Sequence, residues 1–153
     1  MEYPPMAWYA YCIGEKQAFP ELARHRKPVP LQSVAGVSGN QVFLYPASDL
    51  AVVVSEHNPA ETLNPKAGVD HARVIADCFQ HSTILPFRFG TVFHDDESLR
   101  KSIRSNQRQF LMNIDRLRGK TDPHEEAVNR GWLRNLPFVE IIPRNSSRRT
   151  EEQ

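Results

Sequence analysis

The sequence is poor in the features that commit a chain to a compartment or to a chemistry. It has two cysteines, Cys12 and Cys78, too few for a disulfide framework and at no metal-binding spacing. Their settings, Tyr11-Cys12-Ile13 and Asp77-Cys78-Phe79, suit small core residues in a reducing compartment. An excess of one charge is also missing. The formal net charge is +1, which argues against a nucleic-acid partner or an electrostatic membrane anchor. No apolar run reaches the roughly 18 residues of a membrane helix. The opening MEYPPMAWYAYCIG lacks the basic start and apolar core of a signal peptide. A cytoplasmic protein without membrane insertion is the expectation. Glycine is scarce, 7 against 12 prolines, so stiff loops are expected.

Catalytic signatures are absent as well. The histidines at 25, 57, 71, 81, 94 and 124 include no pair at the helical i, i+4 metal spacing. There is no HExxH, CxxC, GxSxG, phosphate-binding loop or GxGxxG. His94-Asp95-Asp96 is the densest group of potential ligands, yet it reads better as a helix start. No enzyme, metal or cofactor is expected. A chain of 153 residues can bury one real core, so a single domain is expected over 1–143, followed by a polar tail, 144–153.

What the sequence does have is an unusual stretch from Thr83 to Phe93, TILPFRFGTVF. It alternates like a strand, with Leu85, Phe87, Phe89, Thr91 and Phe93 on one side and Ile84, Pro86, Arg88, Gly90 and Val92 on the other. Arg88 keeps its charge, so inside such a strand it needs a carboxylate or several carbonyls. This predicts a buried, paired Arg88, with Gly90 leaving room beside it and Pro86 marking a sheet edge. Phe87 and Phe89 are expected to pack on Ile103, Phe110 and Ile114.

Elsewhere, Trp8–Ile13, Val42–Tyr45 and Leu50–Ser55 read as the first three strands, the last buried on both faces, and Leu31–Val37 as a brief extended piece before the Ser38-Gly39-Asn40 turn. Asn64-Pro65 caps a helix running to about His81. A second helix starts at His94-Asp95-Asp96-Glu97 with an aspartate cap and ends with Arg118 before Gly119, with Leu99, Ile103, Phe110, Ile114 and Leu117 as its apolar stripe. A short helix follows over 122–131, then a last edge strand, Phe138–Ile142. The predicted fold class is α+β, a mostly antiparallel sheet with two main helices on one face. Arg100, Arg104 and Arg108 form a basic row on the outside of the second helix, which an acidic partner would relieve.

The stretch His71-Ala72-Arg73-Val74-Ile75, the block ILPFRFGTVF at 84–93 and the acid-capped helix after it resemble the gas vesicle protein family GvpF/GvpL. The aromatic opening at Tyr9 to Gly14 and the segment DLAVVVS at 49–55 are similar to that family too. The likeness spans about residues 7 to 120 in continuous order. It implies a non-enzymatic accessory protein of gas vesicle formation that contacts the small shell protein GvpA, and other accessory proteins of the vesicle. By matching position it singles out His71, Pro86, Arg88, Phe89 and Gly90. The resemblance further implies an N-terminal α/β domain and a C-terminal ferredoxin-like domain, and 121–153 does not look like the latter. Two other readings stand beside it. One is a ligand-binding domain that uses Arg88 in an anion pocket. The other is a homo-oligomer formed through the strand at 138–142.

Overall fold

The computed structural model describes residues 6–118, apart from residue 23. The helix expected over 122–131, the strand expected over 138–142 and the tail at 144–153 lie outside the described residues. The α+β class holds: among the described residues six strands form one antiparallel sheet, with three α-helices. The strands are β1 (Ala7–Glu15), β2 (Val29–Ala35), β3 (Gln41–Ala47), β4 (Leu50–His57), β5 (Ile84–Pro86) and β6 (Val92–Phe93). The sheet order is β2-β3-β4-β1-β5, and β6 also pairs with β1. The helices are α1 (Pro65–Phe79), α2 (Asp96–Ser105) and α3 (Gln107–Leu117).

The helices do not share one face of the sheet. Strand alternation gives the sheet two apolar sides, and each is covered. Val52, Val54, Leu85, Phe87 and Phe93 meet Leu99, Ile103, Phe110, Ile114 and Leu117 of α2 and α3. Tyr9, Tyr11, Cys12, Leu44 and Val53 meet Ala67, Val74 and Cys78 of α1. β4 is buried on both sides, as its β-branched run predicts. A bulge in β1 shapes the second side. Ala10 pairs with Val54 and Cys12 with Val53, which leaves Tyr11 as an extra residue. The alternation slips there, so Tyr9, Tyr11 and Cys12 all face α1. Both cysteines are buried, and burial beside Cys78 pushes the Cys12 thiol well above its ordinary range.

Two expected starts are met by their side chains. Asn64 Oδ1 accepts from the Ala67 N–H at 3.0 Å with Pro65 in the first turn, and Asp95 Oδ1 accepts from the Ser98 N–H at 2.7 Å. The second expected helix is in fact two. Asn106 breaks it at φ −118°, ψ 10°, and its side-chain N–H donates to the Ser102 carbonyl at 2.8 Å. Asparagine competes for backbone partners in this way, while the seven-residue step from Ile103 to Phe110 keeps the apolar stripe in phase across the break.

Candidate functional site

The long strand expected over 83–93 is also two pieces, and the gap between them is the site. β5 leaves β1 after the Phe87 N–H donates to the Tyr11 carbonyl at 2.9 Å. β6 rejoins β1 where the Ala10 N–H donates to the Thr91 carbonyl at 2.9 Å. Between them the chain makes a β-turn in which the Thr91 N–H donates to the Arg88 carbonyl at 3.1 Å. Its third residue, Gly90, sits at φ +87°, a conformation that glycine adopts without strain. An added Cβ there would meet nothing within 4 Å. The backbone, not space, therefore selects glycine, and Gly90→Ala is expected to cost about 1–2 kcal/mol in a denaturant titration.

The turn corrects two expectations. Arg88 is exposed and has no carboxylate partner among the described residues, so neither a buried ion pair nor an enclosed anion pocket forms around it. Phe89 is 48% exposed and does not reach α2 or α3. Phe87 does, with its ring 6.2 Å from that of Phe110. The reason is the turn itself: it interrupts the alternation after Phe87, so Phe89 rotates to the α1 side. There Phe89 lies against Tyr9 and His71, ring centroids 6.4 and 5.7 Å away. Val92, 38% exposed, is cross-strand from Tyr9 and continues the same apolar surface.

Beneath the turn is a buried polar strut. His71 Nε2 donates to the Phe87 carbonyl at 2.9 Å, and His71 Nδ1 meets the Tyr9 hydroxyl at 2.9 Å. The Tyr9 oxygen accepts from the Gly90 N–H at 3.1 Å. Tyr11 extends the group: its oxygen accepts from the Val37 N–H, and it shares a hydrogen bond with the Ser55 hydroxyl, both at 2.8 Å. His71 is 6% exposed with both ring nitrogens occupied, so it supports the turn and does not itself face a partner. Its two bonds tie the ring to the turn on one side and to β1 on the other.

Burial lowers the His71 pKa below its ordinary 6.5, against the opposing effect of the Phe87 hydrogen bond. Burial likewise pushes Tyr9 up to about 12, with the Gly90 hydrogen bond opposing. The signs follow from linkage. Unfolded chains bind the His71 proton more readily, so its contribution is complete above about pH 6.5 and is lost as pH falls through the lowered folded value. Tyr9 adds stability below about pH 10 that is lost as pH rises toward 12. Melting temperatures measured against pH should fall on the acid side, and the acid limb should flatten in His71→Gln.

The basic row divides at the helix break. Arg100, Arg104 and Arg108 are all exposed, the first two on α2 and the third on α3. Arg100 donates to the Tyr45 hydroxyl at 3.0 Å, on the sheet side opposite α1. The row and the Phe89 surface are thus not brought together. Tyr9 and Val92 are site residues that sequence reasoning missed. Tyr9 and His71 are 62 residues apart, and only the aromatic Tyr9-Ala10-Tyr11 run hinted at them.

Among solved structures, the crystal structure of the gas vesicle protein GvpF from Anabaena sp. PCC7120 matches 74% of this chain at 21% identity and a TM-score of 0.60. That of gas vesicle protein GvpF from Microcystis aeruginosa matches 86% at 19% identity and a TM-score of 0.56. The matches cover 44% and 54% of those two chains, so this chain spans about half their length. Among curated proteins none matches. Residues 7–129 fit the family model described as "Gas vesicle synthesis protein GvpL/GvpF", a stretch that holds both the buried strut and the exposed turn, and the chain therefore belongs to the GvpL/GvpF family.

Proposed function

We propose that this domain is a non-enzymatic accessory protein of gas vesicle formation that binds the small apolar shell protein GvpA, or an analogous subunit, through the Arg88–Gly90 turn. The observation that carries this reading is a half-exposed phenylalanine beside an exposed arginine, on a turn anchored to buried groups. Apolar surface left exposed on a fixed element marks an interaction site more often than a packing fault. A shell subunit presents apolar surface before assembly. Phe89 and Val92 supply apolar area to cover it, and Arg88 meets a carboxylate at its rim. Aromatic and arginine anchors of this kind carry most of the energy in protein interfaces. The exposed Arg100, Arg104 and Arg108 lie on another side and would steer encounter without forming the contact.

The test is capture of purified shell protein by the folded chain. Phe89→Ala and Arg88→Glu are each expected to weaken binding at least about tenfold, as central anchors do. Charge reversal at Arg100, Arg104 and Arg108 should change on-rate and salt dependence more than affinity. Capture that is unchanged in both turn variants, with native melting curves, discards the surface.

A further inference from the structure

Proton positions in the strut can be assigned from its partners alone. The Phe87 carbonyl only accepts, so His71 Nε2 carries the hydrogen. A neutral ring with hydrogen on Nε2 has a bare Nδ1, and the Tyr9 hydroxyl donates to it. With its proton so placed, the Tyr9 oxygen is free to accept from the Gly90 N–H. Each donor in the chain has one acceptor. The order runs from the start of the turn, through the ring and the phenol, back to the third residue of the turn.

Protonation of His71 breaks that order. Nδ1 then carries a hydrogen and points it at the Tyr9 oxygen. The Tyr9 hydroxyl loses its acceptor and has to rotate, and its oxygen is claimed by two donors at once. Around the ring, β1 contributes Tyr9 and Tyr11, and β4 contributes His57, whose ring centroid is 6.1 Å from that of Tyr9. α1 contributes Asp70 and Arg73, which pair with each other, while Arg88 on the turn is exposed to solvent. Asp70 is the carboxylate nearest in sequence to His71, and with Arg73 as its partner it does not stand ready to neutralise a charged ring. Burial disfavours that charge as well.

We propose that Tyr9 and His71 are positioning residues that hold the Arg88–Phe89 turn in its presenting form while His71 is neutral and release it when His71 gains a proton. The consequence for binding rests on the turn being the shell-protein contact, whereas the coupling between His71 and the turn does not. The full chain is examined by nitrogen-15 NMR without a partner, then by shell-protein capture across the same pH range. In the wild type, His71 should show hydrogen on Nε2 near neutral pH. Hydrogen on Nδ1 instead overturns the assignment without any variant. The protection of the Gly90 amide, corrected for intrinsic exchange, should fall about tenfold in Tyr9→Phe, the weight of one ordinary hydrogen bond. In the wild type it should fall as pH drops through the His71 midpoint. Gly90 protection that ignores both changes overturns the proposal. Capture of shell protein should weaken through the same midpoint, and Tyr9→Phe should flatten that dependence. If Gly90 protection follows His71 while capture ignores both pH and Phe89→Ala, the strut stands and the contact reading falls.

Discussion

Phe87→Ala is expected to destabilise the domain by about 3–5 kcal/mol, and Phe89→Ala, two residues further on, by about 1 kcal/mol or less. Phe87 is fully buried in the core between the sheet and α2–α3, with Phe93 and Phe110 rings at 6.3 and 6.2 Å. Truncation there leaves a cavity walled by α3 and the sheet, which cannot close without moving both. Phe89 loses contacts only on the side facing Tyr9 and His71, and its exposed half is already in water. Urea titrations of the two variants and the wild type measure the difference at once. Equal losses would mean that both rings share the core, and the turn geometry would then be wrong. The pair also separates stability from binding: the variant expected to melt almost normally is the one expected to lose shell protein.

That contrast marks where the sequence was legible. Local signals held. Asn64-Pro65 and Asp95 start their helices through bonds that span three residues, and the run Leu50–Ser55 forms a strand buried on both faces. The apolar stripe Leu99–Leu117 also faces the core. Two interruptions escaped, and for the same reason. At Asn106 and at Phe89-Gly90 the apolar period continues in phase across a break, so periodicity sees one element where the backbone makes two. Gly90 is the available sign of a turn, and the strand pattern makes it room for Arg88 instead. The strand pattern also buries the charge of Arg88, whereas the turn carries it out to solvent. The strut was beyond reach altogether. It joins Tyr9 to His71 across 62 residues, a separation over which no local pattern carries a signal.

Gly36→Ala is expected to cost about 2–5 kcal/mol, through overpacking and through loss of buried hydrogen bonds. The backbone does not demand glycine here, since φ is −91°. Space does. A Cβ at Gly36 would collide with the Tyr11 hydroxyl and press on Val42 Cγ2 at 3.0 Å and the Asn40 carbonyl at 3.1 Å. Tyr11 is fully buried and rigid, so it has no room to swing aside. Displacing its oxygen strips the Val37 N–H and the Ser55 hydroxyl of a buried partner. A double-mutant cycle isolates the cause. Tyr11→Phe alone should destabilise, because it removes both hydrogen bonds. In the Tyr11→Phe background, however, Gly36→Ala should cost at least about 1 kcal/mol less than in the wild type, because the colliding atom is gone. Strictly additive losses would show that Gly36 is needed for a reason other than the approach of Tyr11.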